Sequence, residues 1–185
     1  MKAIARKVLS LLGWKIKDNF PNLKKSIIVV APHTSNWDFV LGKLYMIVFG
    51  VKNKVLVKKE LFIFPLNFIL KIVGSIPINR HDKKNSIISQ TVDLFNTKEE
   101  FCLVIAPEGT RKREEHWKKG YLIIASKAQV PVIITYIDYK KKEIGIKEII
   151  WNVTDIKATM KKITEIYRDV NAKYPENFAL DKRYL

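Results

Sequence analysis

Short apolar runs rich in β-branched residues alternate along this chain with segments whose apolar positions recur at helical spacing. The clearest run, residues 26–31, is closed by Pro32 and predicts a buried strand. Further strands are predicted over residues 54–57, 75–78, 101–106 and 132–136, with residues 144–150 as an edge strand entered by a turn at 140–142. Between them the spacing predicts helices over residues 38–49, 64–72 and 121–128. Another is capped by Asn85 and runs through Phe95, and a last, amphipathic one is capped by Thr154 and runs through Val170. Alternation of this kind predicts an α/β fold: one mixed, mostly parallel sheet with helices on both faces. The polar tail after Tyr174 is expected to be loosely held.

No repeat or linker splits the chain, and its 185 residues suit a single core. The expected organisation is a domain over residues 21–185 preceded by an amphipathic segment over residues 1–20. In that segment Lys2, Arg6, Lys7, Lys15 and Lys17 interleave with Ile4, Val8, Leu11 and Leu12 at helical spacing. It is too short and too interrupted to span a bilayer, and no small-residue cleavage site follows it. It reads either as a helix lying in a bilayer interface or as a surface helix packed on the core. The apolar stretch at 61–78 is broken by Pro65, Asn67, Lys71 and Gly74, so no membrane-spanning segment is expected.

Charge narrows the company the chain keeps. The formal net charge is +16, most of it lysine, which points to anionic partners: headgroups, phosphorylated substrates, an acidic carrier or nucleic acid. No helix-turn-helix, zinc-finger or RNP signature supports nucleic acid, although Trp117 does lie beside Lys118 and Lys119. The single cysteine, Cys102, sits within an apolar run and reads as a buried hydrophobe, compatible with a reducing cytoplasm. Metal-ligand spacings, nucleophile elbows and complete nucleotide-binding loops are missing from the sequence, and His81 and His116 are isolated among charges.

In α/β sheets ligands gather at the carboxyl ends of strands, and the unusual residues of this chain fall there. After the first strand comes Pro32-His33-Thr34-Ser35-Asn36-Trp37-Asp38. On one continuous helix His33 and Asp38 would lie about 140° apart and could not meet. If Thr34 or Ser35 caps the helix, Asp38 falls in its first turn and can reach back to the imidazole. Such a carboxylate fixes the ring tautomer and stabilises the imidazolium formed when the ring takes a proton; the plainer alternative is a dipole-compensating Asp38 beside a loop histidine. A second cluster, Ala106-Pro107-Glu108-Gly109-Thr110-Arg111, outlines a phosphate-binding loop. There Gly109 permits close backbone approach and Arg111 can fork onto oxygens; the alternative is a turn with a solvated Glu108–Arg111 ion pair. A third loop, Gly74-Ser75-Ile76-Pro77-Ile78-Asn79-Arg80, ends in a lone charge.

Together, in this order, these segments resemble the glycerolipid acyltransferase family typified by bacterial 1-acylglycerol-3-phosphate acyltransferases. That family carries H-x-x-x-x-D, G-x-I-x-x-x-R, P-E-G-T-R and an apolar block with proline, matched here by Val130-Pro131-Val132-Ile133-Ile134. The resemblance spans about residues 26 to 137 and implies an acyltransferase-like fold. It implies His33 as general base with Asp38 as its orienting partner. Glu108, Gly109, Thr110 and Arg111 would bind the acceptor, with Arg80 and Arg111 on its phosphate, and Lys58 or Lys59 supplying a further basic position. Pro131 would shape the acyl or acceptor site. The implied reaction moves a fatty acyl group from acyl-CoA or acyl-carrier protein to the free hydroxyl of a lysophospholipid, with 1-acylglycerol-3-phosphate the first candidate. Another lysophospholipid, a lyso-lipid without phosphate, and a lipid-binding relative without catalysis are the alternatives. No cofactor, metal or nucleic acid is expected, and the expected place of work is the cytoplasmic, inner face of the cell membrane, held peripherally at an anionic surface.

Overall fold

A computed structural model describes residues 1–17, 19–79 and 86–185. Its elements run α1 (Lys2–Leu11), β1 (Lys15–Ile16), β2 (Lys25–Ala31), α2 (Asn36–Phe49), β3 (Asn53–Lys58), α3 (Leu66–Ile72), β4 (Ser75–Ile78), α4 (Ile87–Thr97), β5 (Phe101–Ile105), α5 (Gly120–Ala128), β6 (Val132–Asp138), β7 (Glu143–Ile150) and α6 (Ile156–Ile166). The strands form one sheet in the order β1-β7-β6-β2-β5-β3-β4. Every neighbouring pair is parallel except β6 with β7. This is the α/β architecture that the alternation predicts.

Apolar residues on both sides of β2 explain its central place, because a strand covered by helices on two faces needs no polar side. Ile27, Val29 and Ala31 face a core built with α4, α5 and α6, around Phe95, Leu122 and Ile163. Ile28 faces a second core with Ala5 and Leu9 of α1 and with Leu41, Tyr45 and Met46 of α2. The first helix therefore packs on the core through a narrow stripe, while Met1, Ile4 and Leu11 remain exposed. Among the described residues no helix is long and apolar enough to cross a membrane. Cys102 is buried as expected, and burial pushes its thiol pKa up.

Four expectations need correction. Residues 144–150 do not form a bare edge, since Lys15 and Ile16 pair with Glu143 and Ile144; a two-residue strand is too short to leave a periodic signal. Asp155, not Thr154, caps α6, its carboxylate accepting from Lys157 N (2.8 Å) and Ala158 N (3.0 Å), and the helix stops at Ile166. Ser86 caps α4 by accepting from Ser89 N, while Asn85 lies outside the described residues. The tail is anchored rather than loose: the indole of Trp117 donates to Ala179 O at 3.0 Å, and buried Asp181 accepts from Trp117 N at 3.1 Å and from the Arg183 guanidinium at 2.7 Å.

Removing the Asp181 carboxylate would leave the buried Trp117 N–H without its acceptor and leave the Arg183 guanidinium held by Trp117 O without its carboxylate partner. Asp181→Ala is expected to cost about 3 kcal/mol, read as a lower urea midpoint at unchanged slope.

Candidate active site

Parallel pairing of β2 with β5, in which Val29 lies opposite Ile105, brings the loop after Ala31 beside the loop after Ile105. The two motif loops therefore meet although they are far apart in sequence. Ser35 caps α2 with extended backbone, its hydroxyl accepting from Trp37 N at 3.1 Å. Asp38 sits in the first helical turn and is 2% exposed. Its Oδ2 accepts from Thr34 N and Ser35 N, each at 2.8 Å, and lies 3.3 Å from His33 Nδ1. Its Oδ1 accepts from the Tyr139 hydroxyl at 2.6 Å. Burial acts to raise the Asp38 pKa, but the bonds from His33, Tyr139 and Ser35 outweigh it and hold the carboxyl below its usual value. The group is thus an anion facing the imidazole. With Nδ1 committed to Asp38, Nε2 is the ring nitrogen left for chemistry.

His33 lines an open cavity of about 1450 Å³. Its lining combines apolar residues, Val55, Leu56, Val57, Ile78, Ile105 and Ile124, with cationic ones, Arg111, Lys112, Lys118 and Lys119. Gly109 and Thr110 also form part of the wall. Gly109 adopts φ +68, a conformation most side chains disfavour, and the turn it makes carries Thr110 and Arg111 onto that wall. The Arg111 guanidinium bonds the side chain of Asn36 at the start of α2, tying the two loops together.

Several residues singled out in the sequence lie elsewhere. Glu108, assigned by resemblance to acceptor binding, is 4% exposed and is not on the cavity wall. Its Oε1 accepts from His33 N at 2.8 Å, so it braces the histidine backbone instead of pairing with Arg111 in solvent. Its Oε2 is buried with no hydrogen-bond partner. Lys58 and Lys59 are exposed at the end of β3 and just beyond it, and neither lines the cavity. Pro131 precedes β6, where its carbonyl accepts from Ile27 N at 2.9 Å. It therefore stands at the opposite end of the strands from His33, roughly 15 Å away at about 3.3 Å per residue, too far to shape the site directly. Trp117 is buried beneath the tail and offers no stacking face, which removes the aromatic part of the nucleic-acid reading. Arg80 and His81 lie outside the described residues. Among the described residues no group of three metal-ligating side chains occurs.

Tyr139 is the residue that sequence reasoning missed. It follows β6 directly, and β6 is the other neighbour of β2, so its hydroxyl reaches the loop that β2 carries. Only the strand order makes that proximity visible.

An imidazole backed by a carboxylate, on a cavity lined by both apolar and cationic side chains, suits a substrate that carries both an apolar chain and an anionic group. The chain belongs to the acyltransferase family, whose profile, described as Acyltransferase, matches residues 14–138. It is 31% identical over 144 residues to a 1-acyl-sn-glycerol-3-phosphate acyltransferase of Streptococcus pneumoniae, covering 71% of this chain and 52% of that protein. It is 27% identical over 160 residues to the protein of the same name from Borreliella burgdorferi, covering 82% of this chain and 62% of that one. The matches thus take in little more than half of each relative's length. The crystal structure of the 1-acyl-sn-glycerophosphate (LPA) acyltransferase PlsC from Thermotoga maritima shares the fold. Its TM-score is 0.62 at 18% identity, over 89% of this chain and 74% of that one.

Burial, with a smaller contribution from the Asp38 charge, pushes the Glu108 pKa from an ordinary 4.5 to about 7, against the bond from His33 N. The folded chain then holds this proton more tightly than the unfolded chain does. The group's contribution to stability is full below about pH 4.5 and is lost as pH rises through about 7. Glu108→Gln should flatten that dependence, so urea midpoints at about pH 5 and about pH 8 should differ less in the variant than in the parent. An equal difference in both would show that Glu108 is already ionised at the lower pH.

Proposed function

We propose that this protein transfers a fatty acyl group from acyl-CoA or acyl-carrier protein to the free hydroxyl of 1-acylglycerol-3-phosphate. The observation that carries the reading is His33, held through Nδ1 by Asp38, on the wall of a cavity lined by both apolar and cationic side chains. Nε2 takes the proton of the acceptor hydroxyl as that oxygen attacks the thioester carbonyl. The tetrahedral oxyanion collapses, the carbon–sulfur bond breaks, and the departing thiolate recovers the proton from the imidazolium. Asp38 keeps the ring in the right tautomer and stabilises its transient charge. The apolar wall from Val55 to Val57, with Ile78 and Ile105, suits the acyl chain; Arg111 suits the acceptor phosphate. The relatives' names support this acceptor over a lyso-lipid lacking phosphate.

The net positive charge and the exposed Lys2, Arg6 and Lys7 of α1 support work at an anionic membrane surface, reached peripherally from the cytoplasmic side. Sedimentation with anionic vesicles and release by high salt would accord with that arrangement.

His33→Ala should lower transfer by about 10² to 10⁴ with the fold intact, and Asp38→Asn should fall nearly as far. Unchanged turnover in either folded variant would contradict the mechanism. Arg111→Ala should lose roughly tenfold more kcat/KM on a phosphate-bearing acceptor than on a neutral analogue. An equal loss on the two would mean that Arg111 serves the loop contact with Asn36 alone.

A further inference from the structure

The helix α3 poses a folding problem that the described residues do not solve. Its sequence, Leu66-Asn67-Phe68-Ile69-Leu70-Lys71-Ile72, is apolar almost all round, yet none of its residues is buried. A helix of that composition is stable in a protein core or in lipid, not in water. The preceding residues extend the surface: Ile63 is 64% exposed and Phe64 79%, followed by Phe68 at 60%, Ile69 at 59% and Ile72 at 82%. The Phe64 and Phe68 rings meet edge-on with centroids 6.2 Å apart, so the patch is continuous across the start of the helix. Contiguous exposed apolar surface of this kind marks a place where something else sits.

Two features identify the occupant. Lys58 and Lys59 enter this segment and Lys71 lies within it, all exposed, so apolar side chains are flanked by ammonium groups on flexible stems. That combination matches the boundary between acyl chains and anionic headgroups, where apolar residues insert and lysines meet phosphates. The second feature is place. The segment crosses from β3 to β4, whose Val57 and Ile78 form part of the cavity wall. We propose that Leu61 to Ile72 inserts into the surface of an anionic bilayer, setting the part of the cavity wall that β3 and β4 supply against the lipid. The benefit of that placement for lipid substrates rests on the proposed acyl transfer; the insertion itself does not.

Cys102, the sole cysteine, is buried, which makes site-selective labelling practical. In the full chain carrying Cys102→Ser, an environment-sensitive fluorophore would be placed through Phe68→Cys, Ile72→Cys or, as a control on α5, Lys127→Cys. Vesicles would contain phosphatidylcholine alone or mixed equally with phosphatidylglycerol. On the mixed vesicles the labels at positions 68 and 72 should shift to the blue and be quenched by brominated acyl chains, with the label at 127 unaffected. Labels at 68 and 72 that stay in water while the protein sediments with vesicles would overturn the proposal. So would a blue shift that needs no lipid and grows with protein concentration, which would mean that a second copy covers the patch. Combining Phe64→Ser with Phe68→Ser should weaken vesicle binding by about tenfold or more while leaving transfer to a water-soluble, short-chain acceptor unchanged. Unweakened binding would also overturn it. A chain inactive on every acceptor, but with its labels still quenched, would remove the proposed enzymatic reaction and leave the insertion standing.

Discussion

Burying a carboxylate in an α/β protein is costly unless both oxygens find donors, and Asp38 meets that demand with groups from three directions. Two backbone N–H groups at the entrance of α2 and the imidazole of His33 serve one oxygen; the Tyr139 hydroxyl serves the other. These bonds fix the turn between β2 and α2, because Thr34 and Ser35 can present their N–H groups to one oxygen only if the chain bends there. The same bonds leave the histidine ring a single orientation. Tyr139 is packed in turn, its ring meeting that of Trp14 edge-on at 5.1 Å, so the segment between α1 and β1 supports the far side of the carboxylate. The candidate site is therefore braced from both the N-terminal region and the end of β6.

Around this centre the sheet acts as a device for adjacency. β2 lies between β5 and β6, and both run parallel to it, so the loops leaving their carboxyl ends converge. From β5 comes Glu108, buried against the backbone of His33, then Gly109, Thr110 and Arg111 on the cavity wall. From β6 comes Tyr139. The histidine is thus held by its ring through Asp38 and by its backbone through Glu108, two carboxylates with different surroundings. Asp38 is rich in donors and anionic, whereas Glu108 has one oxygen unpartnered and a pKa pushed up to about 7. A positioning carboxyl that need not be charged suits a place where a second anion beside Asp38 would be unfavourable.

What the sequence made legible follows the range of each interaction. The His33–Asp38 pair could be read because it is local: a cap, a first helical turn and a spacing of five determine it. Most elements of the sheet could be read because apolar runs and helical periodicity are local as well. Contacts that depend on strand order could not. Glu108 to His33 spans 75 positions and Tyr139 to Asp38 spans 101, and no spacing rule announces either. The same limit misplaced Pro131, which looks adjacent to the site in a list of motifs but stands at the wrong end of β6. The tail looked loose because its residues are polar, yet Asp181 is buried by a network whose partners lie more than sixty positions away. The apolar character of α3 was visible in the sequence; the fact that none of the described residues covers it was not.

Asp38, 3.3 Å from His33 Nδ1, is expected to hold the ring with a proton on Nδ1 and a bare Nε2. The imidazole ¹⁵N resonances of a chain with only three histidines report this directly, assigned with a His33→Ala comparison and recorded at a pH where the ring is neutral. The expected result is a protonated Nδ1 and an unprotonated Nε2 for His33, with that preference lost in Asp38→Asn. An Nε2–H tautomer in the parent protein would contradict it, because the ring would then offer a donor where the acceptor hydroxyl needs a base.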